Sequence, residues 1–114
     1  MIYELDRIDA MRFDKEETIT LYIYDIDIWH TRQKAQEHMY YTQKKIEAYI
    51  NYILQGNAVE YFNLSIDDHY FYVIEFIAEK MRVSKSYSAF LQELADQMNQ
   101  DFGGTITLNL ANFK

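Results

Sequence analysis

The sequence contains no cysteine, no proline and only three glycines. Without cysteine, the chain has no disulfide, no thiolate nucleophile and no zinc–thiolate site. It also has no glycine-rich loop ahead of a helix, no Gly-x-Ser-x-Gly elbow and no His-Glu-x-x-His pair. These absences exclude the enzyme classes that a sequence reveals most readily, but they leave other kinds of active site open.

Long hydrophobic runs and basic tracts are missing too. The most apolar stretch, residues 70–78, is too short to cross a bilayer and contains Glu75, so we expect no membrane association. The first 17 residues show no basic segment followed by an apolar one, and we therefore expect a cytoplasmic protein. The formal net charge of −7 repels nucleic-acid phosphates, which predicts that nucleic acid is not a partner.

The length of 114 residues and the hydrophobic content of 49% suit a single domain over residues 1–114 with its own core. Alternation of apolar and polar residues, or a continuous apolar run, indicates strands. The candidate strands are residues 7–13, 18–26, 59–66, 69–78 and 105–110. The fourth is apolar on both sides, as in a central strand, and the third would pair with it across the turn at Asp67 and Asp68.

Apolar residues at three- and four-residue spacing predict two helices, over residues 31–55 and 84–100. The stripe of the first is Ala35, Met39, Ile46, Ile50 and Ile53, and that of the second is Tyr87, Phe90, Leu91, Leu94 and Met98. Glycines follow both helices, as expected at helix ends.

The predicted order is therefore β-β-α-(β)-β-α-β. The strand faces and helix stripes can bury one another in an α+β fold of two layers, with a mainly antiparallel sheet of four to five strands and two helices on one face. The predicted core consists of Ile19, Leu21, Ile23, Ile46, Ile50, Ile53, Phe90, Leu94, Met98, Ile106 and Leu108.

Carboxylates and histidines are concentrated where the second strand leads into the first helix. Asp25, His30 and His38 could serve a small hydrolase or a metal-dependent enzyme. The simpler interpretation is structural, because His30 and His38 are eight residues apart and joint ligation would require His30 to fold back. We expect no metal site, no cofactor and no catalytic residue.

Tyrosine is abundant, with 11 residues. Its ring buries area while its hydroxyl stays hydrated or paired, which suits a contact surface, although tyrosine can also simply cover the edges of a core. The candidate interface comprises Thr20, Tyr22, Tyr24, Tyr40, Tyr41, Thr107 and Asn109. The central strand could add Tyr70, Tyr72, Ile74 and Phe76, as one possible side, to the sheet part of this surface.

The chain also resembles a family of small, uncharacterised bacterial domains. The resemblance covers residues 8–56 and follows a strand–Asp–Trp–helix pattern, with Glu47 standing where the family often has Asn. The residues that carry it are Leu21, Ile23, Asp25, Trp29, His38, Gln43, Lys45, Ile46, Tyr49 and Gly56. The family has no established reaction, and some members look like immunity proteins encoded beside bacterial toxins.

The resemblance implies a polar cluster of Asp25, Trp29, His38, Gln43 and Lys45 between the first helix and the sheet, which would fix the helix in place or line a small cleft. We therefore expect a protein-binding domain and not an enzyme. An immunity protein that neutralises a basic toxin is one specific form of this hypothesis, and a structural homodimer is an alternative.

Overall fold

Four strands and three helices make up the part of the chain that the computed structural model describes, namely residues 5, 7–14, 17–25, 32–65, 67–78 and 85–111. In chain order the elements are β1 (Ala10–Phe13), β2 (Thr18–Asp25), α1 (Arg32–Leu54), α2 (Asn57–Tyr61), β3 (Phe71–Ala78), α3 (Lys85–Phe102) and β4 (Ile106–Ala111). The predicted α+β class is confirmed, and the bounds of the two long helices lie within two residues of those expected.

The sheet has the strand order β1-β2-β3-β4 and is mixed. β1 and β2 form an antiparallel hairpin, whereas β2 pairs with β3, and β3 with β4, in parallel. The expectation of a mainly antiparallel sheet is therefore wrong. The reason is that α1 and α3 each carry the chain back across the sheet before the next strand begins, which is the connection that parallel strands require. Right-handed crossovers that advance in one direction also place both long helices on the same face.

Residues 57–61 form a short helix, so the strand expected over residues 59–66 is absent from the described part of that segment. Gly56 adopts the left-handed conformation with φ of 79°, which ends α1 and lets the chain start again in a new direction. The carbonyl of Gly56 then accepts a hydrogen bond from the amide of Glu60 at 3.1 Å. Asn63, also at positive φ, turns the chain away after this helix.

The core lies between one face of the sheet and the two long helices. Leu21, Ile74 and Leu108 form one row across β2, β3 and β4 and are buried. The predicted core is confirmed, with Ile50, Phe90 and Leu94 at its partly buried margin. Tyr87, a member of the predicted stripe of the second helix, is fully buried in it, and so is Tyr49, which lay outside the predicted stripe of the first helix.

The register decides which side of β3 faces outward. Tyr72, Ile74 and Phe76 align with Ile19, Leu21 and Ile23, so they face the helices. The sequence analysis suggested Tyr70, Tyr72, Ile74 and Phe76 as one possible outward side of this strand. That suggestion is wrong, because these residues belong to the core or pack against it. The residues of β3 on the other side are Phe71, Val73, Glu75 and Ile77.

Replacing Leu91 by alanine tests the core. Leu91 is fully buried, and its truncation should lower the free energy of unfolding by about 2–5 kcal/mol through lost burial and the cavity left behind. The matched control is Leu54→Ala, because Leu54 is 62% exposed, and it should change stability by less than about 0.5 kcal/mol. Urea unfolding of both variants makes the comparison, and equal losses would contradict this packing.

Candidate functional site

A buried ion pair ties helix α1 to the segment that precedes β1. The ammonium of Lys45 lies 3.1 Å from Oδ1 of Asp9, with both side chains almost completely buried. The same ammonium donates a hydrogen bond to the backbone carbonyl of Arg7 at 2.7 Å. Residues 7–9 lie before the first pair of the β1–β2 ladder, so their backbone groups need other partners, and α1 supplies some of them.

The carboxylate of Asp9 also completes the edge of the sheet. Its Oδ2 accepts a hydrogen bond from the backbone amide of Tyr24 at 3.0 Å, in a position where the ladder with β1 has ended. Burial by itself raises the pKa of Asp9, but hydrogen bonds, including those from Tyr24 and Lys45, outweigh it and hold the pKa below its usual value. Asp9 is thus an ionised, structural carboxylate.

Tyr49 lies one helical turn after Lys45 and joins the same network. Its hydroxyl donates to the carbonyl of Tyr22 at 2.6 Å and accepts from the amide of Asp9 at 2.8 Å. Burial raises the pKa of this hydroxyl well above its ordinary value, so it stays protonated. We call Asp9, Lys45 and Tyr49 the α1 seam; each of them is held by specific partners inside the protein, which suits positioning and not proton transfer.

A second buried polar group lies further along α1. Thr42 donates from Oγ1 to the carbonyl of His38 at 2.8 Å, and its Oγ1 lies 2.8 Å from the hydroxyl of Tyr87 on α3. Because the Thr42 proton is directed at His38, Tyr87 is the donor in the second bond. The ring of His38 is buried and meets Tyr87 edge to face at 5.8 Å. These contacts fasten α1 to α3.

The described side chains of the predicted polar cluster contact different parts of the fold. Lys45 faces the segment before β1, His38 faces α3, and Gln43 is exposed and near Glu47 at 3.5 Å. Asp25 is the last residue of β2, and its side chain lies outside the description, as do Trp29 and His30. The structure therefore does not bring Gln43, Lys45 and His38 together.

Sequence reasoning missed Asp9 and the role of Tyr49. A signal was present in α1, because a second stripe runs beside the apolar one at three- and four-residue spacing. Its members are His38, Thr42, Lys45, Tyr49 and Ile53, all of them buried. A lysine within such a stripe indicates a buried acidic partner elsewhere in the chain.

The outward side of the sheet gathers the five strand residues of the predicted interface. We call this surface the open face; its described residues are Ala10, Arg12, Thr18, Thr20, Tyr22, Tyr24, Phe71, Val73, Glu75, Ile77, Thr107 and Asn109, of which Thr20 is buried. The rings of Tyr22 and Tyr24 stack at 6.2 Å. Phe71 is 58% exposed, and among the described residues of this face only Arg12 and Glu75 are charged. Tyr40 and Tyr41, which pack edge to face, lie on α1 and not on this face.

Carboxylates border the open face where β2 and β3 begin. Asp14 and Glu17 lie in the β1–β2 connection, and the amide of Phe71 donates to the carbonyl of Glu17 at 3.0 Å. Burial raises the pKa of Tyr70, and the carboxylates of Asp68 and Glu17 raise it further, so both lie beside this residue. We call Asp14, Glu17, Asp67 and Asp68 the acidic rim.

A groove of about 660 Å³ runs between the segment before β1 and the helical layer. One wall is the backbone and side chains of residues 7–11, and the other is the end of α1 with α2. The polar and aromatic groups on the helical wall are Asn51, Tyr52, Gln55, Asn57 and Tyr61. Burial raises the pKa of Tyr52, with smaller contributions from Tyr61 and the Glu60 carboxylate. The groove therefore combines amides and tyrosines on its helical wall with Arg7 and Asp9 on the other wall.

Residues 1–112 match the model of the family of unknown function DUF6572. The chain belongs to this family. The match includes residues 8–56, on which the resemblance to uncharacterised domains was based, and extends to the end of β4. No curated protein and no solved structure matches this DUF6572 chain.

The described residues of the DUF6572 chain contain neither a membrane-spanning helix nor a cluster of metal ligands. None of its described helices is long and apolar enough to cross a bilayer. The described histidine, aspartate and glutamate side chains include no group of three placed to hold a metal ion. The alternative site at Asp25, His30 and His38 falls mostly outside these residues, but the buried ring of His38 is packed against Tyr87.

Removing the Tyr49 hydroxyl tests the α1 seam of the DUF6572 chain. Tyr49→Phe leaves the amide of Asp9 without this acceptor and the carbonyl of Tyr22 without this donor, so unfolding free energy should fall by about 1–3 kcal/mol. Tyr61→Phe is the control, since Tyr61 is largely exposed. Urea unfolding with amide exchange at Asp9 is the measurement, and an unchanged exchange rate would contradict the assigned bond.

The lowered pKa of Asp9 predicts a pH-dependent loss of stability. A carboxyl group whose pKa is lower in the folded state stabilises the fold above its unfolded pKa of about 3.9, and this contribution disappears as the pH falls through the folded value. At pH 7, Asp9→Asn leaves Lys45 buried without its counter-charge and should cost about 3 kcal/mol or more. The difference from wild type should shrink on acidification below about pH 4.

Asp67→Asn removes an exposed carboxylate and is the control for Asp9→Asn. Denaturant unfolding of the three proteins across this pH range gives the comparison. The difference in unfolding free energy between wild type and Asp9→Asn could instead stay constant down to pH 2. That result would show that the Asp9 carboxylate does not cause the loss of stability in acid.

Proposed function

We propose that this protein is a non-catalytic protein-binding domain whose partner docks on the open face. The observation that supports this proposal is the contrast between that face and the rest of the surface. The chain carries a net charge of −7, yet the described part of the open face has one positive and one negative side chain among threonines, tyrosines and Phe71. Protein interfaces have this composition at their centre, where charge is depleted and aromatic residues are enriched.

The acidic rim supplies the second part of a docking surface. Aromatic residues at the centre of an interface hold a complex together, while charges around it speed the encounter with an oppositely charged partner. Glu17 accepts the amide of Phe71 at its backbone carbonyl, Asp14 pairs with Thr18 next to it, and Asp67 and Asp68 precede β3. A partner with a basic surface around an apolar centre would fit both features.

The size of the open face also favours a partner that reaches the rim. The four strands contain 26 residues in total, which at about 16 Å² each present roughly 400 Å². A standard interface buries about 800 Å² per partner, so the open face alone is half of what a stable complex needs. Contacts with the acidic rim would supply part of the remainder.

A cytoplasmic immunity protein that masks a basic bacterial toxin is the specific form of this function that we favour. It accords with the net charge, with the acidic rim and with the resemblance of residues 8–56 to small bacterial domains, some of which look like immunity proteins. A second candidate is a homodimer through the open face, because Arg12 and Glu75 have opposite charges and a twofold axis could pair one with the other. Because the open face presents only roughly 400 Å², about half of a standard interface, we expect such a dimer to be weak.

Phe71 and Tyr40 allow a matched test of the docking surface. They are 58% and 57% exposed, both are aromatic, and they lie on the open face and on α1 respectively. A photocrosslinking amino acid at each position, in the native host, identifies proteins in contact. The captured protein is then purified and its affinity is measured for wild type, Phe71→Ala and Tyr40→Ala.

We expect Phe71→Ala to weaken binding at least tenfold, or about 1.4 kcal/mol, and Tyr40→Ala to leave it unchanged. Affinity should also fall as salt is raised, because the acidic rim acts through charge. Loss of binding only in Tyr40→Ala would move the interface to the α1 flank and refute the proposal. Sedimentation equilibrium of the wild type at micromolar concentration distinguishes the homodimer from a monomer that binds another protein. The homodimer would show twice the monomer mass of 13.8 kDa.

A further inference from the structure

The free edge of β1 is the feature of the groove that the proposed function does not use. Among the strands that the described residues form, β1 is outermost on its side and pairs with β2 alone. The amide of Asp14 donates to the carbonyl of Thr18 at 3.1 Å, which marks these two residues as a hydrogen-bonded pair. Such pairs alternate, so Ala10 and Arg12 point their backbone groups at β2, and Met11 and Phe13 point theirs outward.

The backbone groups of residues 7–13 have hydrogen-bond partners on α1 before β1 but not within it, among the described contacts. At Arg7 and Asp9 they are occupied, because Lys45 binds the carbonyl of Arg7 and Tyr49 binds the amide of Asp9. From Met11 onward α1 provides no such partner among the described contacts. The groove runs along the α1 seam and reaches Met11, which lines it together with Arg7, Ile8, Asp9 and Ala10.

Amide side chains form the wall opposite this edge. Asn51 and Gln55 are exposed and four residues apart, so they project from the same side of α1 and its end. A carboxamide offers a donor and an acceptor and can bind both backbone groups of a peptide, whatever its sequence. Asn57 donates to Oε1 of Gln55 at 3.2 Å, which orients the Gln55 amide and leaves its own two N–H donors available.

The spacing of these amides matches that of an extended chain. Four residues of helix advance about 6 Å. In a strand, the backbone groups that face one side recur every two residues, or about 6.7 Å. The groove volume of about 660 Å³ lies within the range of sites that enclose ligands. One wall therefore includes Ala10 and Met11, where the edge of β1 begins, and the other presents amides at close to the repeat of a strand.

We propose that this groove binds an extended segment of another polypeptide, which pairs with the outward edge of β1 as a fifth strand and has its far side held by Asn51 and Gln55. Main-chain hydrogen bonds provide the affinity in this mode of binding, and side-chain pockets provide the selectivity. An apolar side chain of the segment would enter between Tyr52 and Tyr61. A basic residue beside it would meet the carboxylate of Glu60, which lies near Tyr52.

Peptides selected from a random ten-residue display library against the full chain provide the probe. The two test proteins carry the same chemical change in different places. Asn51→Arg/Gln55→Arg fills the groove wall, whereas Asn99→Arg/Gln100→Arg places two arginines on the exposed side of α3. Affinity is measured by calorimetry, and amide hydrogen exchange is measured at Met11 and Phe13 with and without peptide.

We expect the groove variant to weaken the selected peptides at least tenfold and the α3 variant to leave their affinity within about twofold of wild type. Binding should slow amide hydrogen exchange at Met11 and Phe13. Methylation of alternate backbone amides of the peptide should abolish binding. Phe71→Ala should have no effect, which separates this site from the open face. The proposal is wrong if no selected peptide binds, if both double variants behave alike, or if exchange at Met11 is unaltered.

Discussion

The α1 seam holds the edge of the sheet in place. β1 has only four residues, and the chain before it has already left the ladder with β2. Lys45 and Tyr49, one turn apart on α1, satisfy backbone groups of Arg7 and Asp9, while the side chain of Asp9 satisfies the amide of Tyr24. The helix and the edge strand are therefore joined by hydrogen bonds of fixed geometry, and the groove that lies between them takes its shape from this attachment.

A buried ion pair is a demanding way to make this attachment, because removing two charges from water costs several kcal/mol and their attraction offsets that cost only when the remaining hydrogen bonds are made. Here they are made, since the Lys45 ammonium also binds a carbonyl and the Asp9 carboxylate also binds an amide. An apolar pair could pack equally well but would accept small shifts of the segment along α1. We infer that the charged pair sets the register of residues 7–9, and hence the position at which the free edge of β1 begins.

The sequence was sufficient for the elements whose signal is local. The alternation in β2 and β4, the apolar stripe of α3 and Gly56 after α1 identified elements and core faces, since each depends on residues within one turn or one strand. Parallel pairing of β2 with β3 could not be read in this way, because strand order is a property of the crossovers and not of any strand. The α1 seam was missed for the same reason: Asp9 and Lys45 are 36 residues apart, and nothing near Asp9 distinguishes it from other acidic residues.

The described buried polar side chains of α1 mainly attach one element of the fold to another. Among the buried polar side chains on α1, Thr42, Lys45 and Tyr49 form bonds that attach one element to another. The buried ring of His38 packs against Tyr87 on α3. A catalytic site requires the opposite arrangement, with a titratable group that is partly desolvated yet directed at a cavity. The described groove is lined by amides and tyrosines together with Arg7 and the structural carboxylate of Asp9, groups that can form hydrogen bonds with a partner. These groups accord with the binding role proposed above.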